Sequence, residues 1–405
     1  MTEDNIIQYY DENKTIYFAG NITSFVFYNQ LFNALREHYK KNGVSVAPIF
    51  SFIHVVSFDP LVVPNLISLG FLLKDIHKKP IHLEIASTKA TKFLDNGWFF
   101  KAVGQKNMFS EEFDFDIDGS GLRRTIQQEN GYGIYDFEKK RLGFYDFLNV
   151  SKPYNQDHRV HVFREDSYRY YSKFIQDNTT EEELGKIRTN KCTELEPFVK
   201  NRFKDVLYDN DKPILNEEDA QVVLDIITEL ITNAVLYSGS HCSAMLQRIG
   251  NVIKMSISDY GVGFEYSFEK KKEKFKKEYK DVFNEFNTVE QEKYKNYIYI
   301  FETLSYSKKK EESTDRENLF TLLKIILKKQ GKRVIQDGTI RIHYKNTQVI
   351  MTSNTCSECN ITFDPKECAK CLLRKYSPTM AVAKSNLRFF DGIFNGVHIE
   401  VELKF

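Results

Sequence analysis

The stretch from Gln221 to Phe264 constrains the fold of this 405-residue chain more than any other. It begins with QVVLDIITELITNAVLYSGS, in which apolar residues recur at helical spacing and predict an amphipathic helix. Glu229 and Asn233 are four residues apart, so they lie on one face of that helix. Two strand-forming segments follow, and the second ends in DYGVG at 259–263, where glycines permit a sharp turn beside a carboxylate. The stretch therefore predicts a helix, a strand, a second strand and a glycine turn.

A helix with E-x-x-x-N, followed after a hairpin by D-x-G-x-G, resembles the ATP-binding core of the gyrase, histidine-kinase and MutL-type ATPases, known as the GHKL or Bergerat fold. The resemblance implies that Glu229 is the general base and that Asn233 binds a Mg²⁺ ion bridging the phosphates of ATP. It also implies that Asp259 accepts a hydrogen bond from the adenine amino group. Gly261 and Gly263 would then give room for the base. Each motif alone is typical of a solvated helix face or a turn, and it is their combination that favours the family.

The segment after this core shows the main departure from the family. The resemblance assigns residues 264–316 to the lid over ATP, and residues 270–280 hold seven lysines. A second glycine box should precede the helix NLFTLLKIILKKQ, yet residues 313–318 contain no glycine. Side chains such as Lys308 or Arg316 are candidate substitutes for phosphate binding. The alternative is weak nucleotide binding with slow hydrolysis.

Four of the six cysteines form two pairs, Cys356-x-x-Cys359 and Cys368-x-x-Cys371. Four thiolates are the ligand set of a structural tetrahedral Zn²⁺ ion, so the spacing predicts a zinc knuckle within 354–376. Two disulfides are the alternative. The acidic start of the chain shows no signal peptide, which favours a cytoplasmic protein in which disulfides are rare. Because four thiolates leave no open coordination position, the expected role of the metal is structural.

Residues 1–110 alternate strand-forming and helix-forming segments, which predicts an α/β domain. The stretch VVSFDPLVVPNLISLGFLLKDI at 55–76 resembles the STAS domain of anti-sigma-factor antagonists, in which a strand ends at a loop that leads into an apolar helix. Phosphorylatable members carry a serine after the loop aspartate, whereas Asp59 is followed by Pro-Leu-Val. A phosphoserine switch is therefore not expected here, and a docking or dimerisation domain is the alternative.

Residues 111–205 are expected to form a connector of unclear fold. Within it, Thr180 and Glu183 have the spacing of a capping box, which predicts a helix start. The segment ELEPFVKNRFKDVLYDN at 194–210 predicts a further helix that leads into the ATPase-like domain at 206–405.

A net charge of +1 gives the chain no overall attraction for nucleic acid, and the stretch 61–73 is too short to span a bilayer. We therefore expect neither a nucleic-acid partner nor a membrane. The expected fold is α/β (α+β), with a STAS-like domain before a Bergerat-type two-layer sandwich that carries an inserted zinc knuckle.

The expected function is that of a cytoplasmic ATP-binding regulatory protein, whose nucleotide state controls a protein partner and whose hydrolysis is slow or absent. A homodimer is one form that the partnership could take. One alternative is a protein serine kinase of the anti-sigma type. Another is a non-catalytic pseudo-ATPase scaffold in stress response or phage defence.

Overall fold

The computed structural model describes most of the chain, with several gaps. The described ranges are 6–79, 81–86, 88–96, 99, 109–114, 158–163, 217–266, 268, 282–313, 319–327, 337–352, 355, 364–380 and 384–405, with scattered positions between 180 and 213. The chain divides into two compact units, Met1–Val162 with Asp391–Ile393 and Phe163–Phe390 with Phe394–Phe405. Helices accompany two five-stranded sheets, which confirms the mixed α/β class.

The first sheet is mostly parallel. Its strands, in spatial order, are β1 (Ile7–Tyr10), β2 (Thr15–Ile22), β3 (Ile49–Phe58), β4 (Ile81–Ala86) and β5 (Phe109–Asp114). Only the pairing of β1 with β2 is antiparallel. The helices are α1 (Ser24–Val26), a π-helical turn (Phe27–Leu31), α2 (Phe32–Asn42), α3 (Val62–His77) and α4 (Lys89–Asn96). Parallel neighbours need crossover connections, and the helices between the strands provide them.

The strand–loop–helix pattern predicted around Asp59 is confirmed. The Asp59 N–H donates to the Ile22 carbonyl at 2.9 Å, and its Oδ1 accepts the Leu61 N–H at 3.2 Å. Helix α3 then buries every residue from Val62 to Phe71, as expected of a helix that is apolar on all sides. It ends at Lys78, which has a left-handed backbone.

The second sheet has the strand order β11-β12-β10-β9-β6. These strands are β6 (His158–Phe163), β9 (Cys242–Ile249), β10 (Val252–Asp259), β11 (Asp337–Thr352) and β12 (Leu387–Lys404), while β7 (Tyr208–Asp209) and β8 (Lys212–Pro213) form a separate pair. The helices are α5 (Glu217–Tyr237), α6 (Thr288–Lys293), α7 (Lys295–Ser313), α8 (Leu319–Leu327) and α9 (Pro365–Lys375), with a 3₁₀ turn at Phe283–Glu285. Strand β10, which carries the D-x-G-x-G motif at its end, is therefore the central strand.

One face of the second sheet forms the core of its unit. Alternate residues of each strand point to this face and pack with α5, because side chains alternate along a strand. They include Ile253, Met255 and Ile257 of β10, Ile399, Val401 and Leu403 of β12, and Ile340 and Ile342 of β11. The opposite face carries Ser256, Ser258, His398 and Glu400, each at most 1% exposed. Further along the same face, the side chains of Lys254 and Glu402 are 19% and 25% exposed.

Helix α5 is long and apolar enough to cross a membrane by length and composition. The sequence analysis overlooked it when it took 61–73 as the apolar stretch to consider. Within the most apolar part of α5, 72% of the residues are buried inside the protein. A core helix passes the same test, so α5 is no evidence on membrane association in either direction.

Two predictions within 111–210 fall on described positions and are confirmed. Thr180 Oγ1 accepts the Glu183 N–H at 3.2 Å, and Glu183 Oε2 accepts the Thr180 N–H at 2.8 Å, which is a capping box. The described positions between 196 and 207 are helical, with Val199, Phe203 and Val206 fully buried. Strand β6 also comes from this range. The predicted domain boundaries at 110 and 205 stay predictions.

Candidate functional site

Helix α5 holds Glu229 and Asn233 on one face, as their spacing predicts. Glu229 is 2% exposed and Asn233 is half-buried. The Asn233 Nδ2 donates toward the Glu229 Oε1 at 3.5 Å, the outer limit of a hydrogen bond. Since the amide nitrogen faces the carboxylate, the amide oxygen lies on the other branch of the side chain. That oxygen is the atom type that Mg²⁺ prefers.

The Asp259 carboxylate is buried at the end of β10, with 3% exposure. Its Oδ1 accepts the backbone N–H groups of Gly261 at 3.0 Å and Val397 at 3.3 Å. Burial raises the pKa of Asp259 to about 7, and the two N–H groups act in the opposite direction. Among the residues that the structure describes, no hydrogen-bond donor contacts Oδ2. The carboxylate thus has one oxygen fixed by the backbone and one available to a ligand.

Neighbouring segments approach Gly261 and Gly263 so closely that neither position has room for a side chain. A Cβ on Gly261 would lie 1.9 Å from the carbonyl oxygen of Ser238. That same oxygen accepts the Val262 N–H at 2.8 Å, so the glycine turn is bonded to the end of α5. Gly263 has φ +72°, and a Cβ there would lie 2.4 Å from the Tyr344 ring. The turn is therefore held between α5 and β11.

Gly396 is a third glycine at a close approach between segments. Its φ is +97°, and a Cβ there would lie 2.0 Å from the carbonyl oxygen of Asp259. The next residue, Val397, donates to the Asp259 carboxylate. In the sequence, the available sign of a close approach is a glycine before a strand-forming segment. The segment that approaches this glycine is known only from the pairing of β10 with β12.

Tyr344 and a small ion cluster adjoin the glycine turn, and the sequence analysis predicted neither. The buried Tyr344 hydroxyl accepts the Glu265 N–H at 3.0 Å, and its ring packs against Phe264 with centroids 5.1 Å apart. The Glu265 carboxylate binds the ammonium groups of Lys295 and Lys345. Hydrogen bonds from these two lysines lower the pKa of Glu265.

Lys308, one candidate for a phosphate contact, forms an ion pair in the structure, and its phosphate role stays a prediction. Its ammonium nitrogen lies 3.0 Å from Oδ2 of Asp364, the N-cap residue of α9. The predicted lid range 264–316 contains α7, whose Ile298 and Phe301 are fully buried in the core. Arg316 lies outside the described residues.

Glu302 of α7 anchors the segment that follows the lysine-rich run. It is 2% exposed, and its Oε1 accepts the N–H groups of Val282 and Phe283, both at 2.8 Å. A buried carboxylate that accepts two backbone donors fixes the local chain direction. This role could not be predicted from the sequence, because a single glutamate in a helix is typical of a solvated face.

The cysteine pair of α9 is buried in the main core. Cys368 is fully buried, Cys371 is 2% exposed, and the two lie one helical turn apart, neither in a disulfide. The Tyr297 hydroxyl donates to the Ala369 carbonyl at 2.6 Å, so α9 packs on α7. Cys356 and Cys359 lie outside the described residues. Within the described ranges, no group of three or more His, Cys, Asp or Glu side chains is placed to hold a metal.

The site thus joins two predicted groups through backbone contacts. The end of α5, which carries Glu229 and Asn233, contacts the turn that carries Gly261 through Ser238. Comparison with known protein families, with curated proteins and with solved structures returned no match.

Proposed function

We propose that the second unit is an ATP-binding domain of the GHKL type, in a regulatory protein whose nucleotide state controls contacts with a protein partner. Hydrolysis is slow or absent in this proposal. The observation that supports it most is the Asp259 carboxyl group, which is buried, fixed through Oδ1 by two backbone N–H groups and open at Oδ2. A ligand that supplies an N–H donor fits this arrangement.

The exocyclic amino group of adenine is such a donor. A hydrogen bond to an ionised carboxylate contributes ~1.5–3 kcal/mol, about twice the contribution of a neutral pair. Guanine places a carbonyl oxygen at the corresponding ring position, which the carboxylate would repel. The glycines at 261 and 263 let the turn beside the acid pack closely against Ser238 and Tyr344, which fixes the backbone that carries the Gly261 N–H. These features support a preference for adenine nucleotides.

Glu229 and Asn233 provide the groups that ATP·Mg²⁺ needs in this proposal. Asn233 Oδ1 would bind Mg²⁺, which partly neutralises the phosphate charge when bound. Glu229 would accept a proton from the attacking water, since it is buried and lies one helical turn away. The 3.5 Å contact between the two side chains supports their acting at one place.

A structural zinc ion is part of the proposal. Cys368 and Cys371 are buried on one face of α9 and form no disulfide, so the helix could supply half of a tetrahedral site. Cys356 and Cys359 would complete the set by their spacing in the sequence. Since α9 packs into the main core, the metal would fix a segment to a helix that is already anchored, rather than hold an isolated insertion together.

Equilibrium binding of labelled ATP, with and without Mg²⁺, tests the proposal. Wild type should bind ATP, Asp259→Asn should lose binding because its amide nitrogen presents donors toward the adenine amino group, and GTP should compete poorly. Phosphate release that falls in Glu229→Gln while binding remains would identify the general base. If wild type binds no ATP at millimolar concentration, the proposal fails and the scaffold alternative remains.

A further inference from the structure

Two lysines share one carboxylate beside the glycine turn. Lys295 Nζ lies 2.5 Å from Oε1 of Glu265, and Lys345 Nζ contacts Oε2. Each carboxylate oxygen therefore holds its own ammonium group, and the three side chains together carry a net charge of about +1. Their side chains are 44%, 27% and 28% exposed for Lys295, Lys345 and Glu265, so a ligand in solution can reach them.

The lysine pair lies next to the proposed base site. The Glu265 N–H donates to Tyr344, whose ring fills the space that a side chain on Gly263 would take. Burial holds the pKa of Tyr344 well above its ordinary value, while the hydrogen bond from the Glu265 N–H acts in the opposite direction. The ion cluster and the glycine turn that follows Asp259 therefore meet at one buried tyrosine.

The backbone of Lys345 is held in an uncommon conformation. Its φ is +54°, and the pairing of β11 with β12 shifts register on both sides of it. A bulge of this kind redirects a side chain, and residues other than glycine rarely adopt a left-handed backbone. His343 Nε2 contacts the Lys345 carbonyl oxygen at 2.7 Å and stabilises the bulge. A glycine would adopt this conformation more easily, so the presence of lysine favours a use for its side chain.

We propose that Lys295 and Lys345, held side by side by Glu265, bind the phosphate chain of a nucleoside triphosphate. The inference rests on the proposed function and supplies the phosphate contacts that the glycine-free sequence at 313–318 does not. Each ammonium group has three donors, so it can contact a phosphate oxygen while it still binds Glu265. Lys308 differs in its position: its partner is Asp364 at the start of α9, whereas Glu265 follows the glycine turn directly.

The test compares ATP with adenosine on the full-length chain. Adenosine has the same base and lacks the phosphates, so the ratio of the two dissociation constants isolates the phosphate contribution. Lys295→Ala and Lys345→Ala should each weaken ATP binding by about tenfold, the effect of losing one charge-assisted hydrogen bond. Adenosine binding should not change. Lys345→Arg should retain most of the ATP affinity, and Lys308→Ala is the matched control that should leave both ligands unaffected.

Glu265→Gln should change the ATP affinity in the opposite direction. It removes the negative charge that competes with phosphate for both ammonium groups, so ATP should bind about threefold to tenfold more tightly. Tripolyphosphate should compete with ATP for the wild-type protein. It should compete less well for the double variant that combines Lys295→Ala with Lys345→Ala. Unchanged ATP affinity in the double variant overturns the inference, and so does an equal loss for ATP and adenosine, which would mean that the pair only supports the turn. If wild type binds neither ATP nor adenosine, the proposed function itself fails.

Discussion

The Asp259 carboxylate accepts the backbone N–H of Val397 at 3.3 Å, across 138 positions of sequence. The contact follows from the register of β10 and β12, in which Ser258 pairs with His398. It passes close to Gly396, where a side chain would collide with the Asp259 carbonyl. An interior residue of β12 therefore fixes the acid that the sequence places at the end of β10.

Asp259→Asn should stabilise the protein at alkaline pH. The folded-state pKa of Asp259 is raised from 3.8 to about 7, so the folded protein holds a proton between pH 4 and 7 that the unfolded chain releases. The contribution of this group to the free energy of unfolding falls as the pH rises through that window. The free energy of unfolding of the variant should exceed that of wild type by ~2–4 kcal/mol at pH 8, and by less toward pH 4. Urea denaturation at several pH values measures this, and a gain that does not vary with pH would contradict it.

ATP binding should weaken as the pH falls below 7. The proposed contact needs the ionised form of Asp259, whose pKa of about 7 makes it scarce in acid. The dissociation constant should rise toward about tenfold per pH unit below 7. Calorimetric titrations between pH 6 and 8 measure the effect, in more than one buffer so that proton uptake can be counted. A flat profile in this range would exclude Asp259 as the acceptor.

Gly261→Ala should destabilise the protein, because its Cβ would lie 1.9 Å from the Ser238 carbonyl oxygen. Overpacking of this kind costs ~1–3 kcal/mol, and it should weaken nucleotide binding by moving the turn. Gly250→Ala is the control: its φ of +58° is strained for alanine, but nothing lies within 4 Å of the added atom. The control substitution should lower the free energy of unfolding by ~1 kcal/mol and leave nucleotide binding unchanged. Equal effects of both variants on binding would argue against a specific role for the turn.

The sequence predicted the parts of the site that depend on local periodicity. Helical spacing gave α5 with Glu229 and Asn233 on one face, and the glycine pattern gave the turn after Asp259. Helix α3 could also be predicted, because a helix that is buried on all sides is apolar along most of its length. Each of these signals lies within one element or one turn.

The remaining parts depend on contacts between distant segments. Val397 and Tyr344 occupy ordinary strand positions, and only the register of β10, β11 and β12 brings them to Asp259 and Gly263. The family resemblance placed α7 in the lid, because the helix lies within 264–316. Its Ile298 and Phe301 nevertheless lie in the core, because an amphipathic helix tolerates a dense charged face.

Glu302→Ala should loosen the segment that begins at Val282. The change leaves the N–H groups of Val282 and Phe283 without the oxygen that now accepts both. Leaving one buried and one partly buried donor unsatisfied should cost ~2–4 kcal/mol. Hydrogen exchange at these two amides should accelerate. Glu302→Gln keeps an oxygen in place and should retain most of the protection, so equal exchange in the two variants would rule out the anchoring role.

Removal of one thiol from α9 should release the proposed zinc ion. Wild type purified in reductant should contain about one zinc per chain, and Cys368→Ser should lose it, since three thiolates hold a structural site poorly. Cys242→Ser is the matched control: Cys242 is a buried free thiol on β9, so the metal should stay. Elemental analysis with a chelator titration measures both. Equal zinc content in the two variants, or none in wild type, would remove the metal from the proposal and leave Cys368 and Cys371 as core residues.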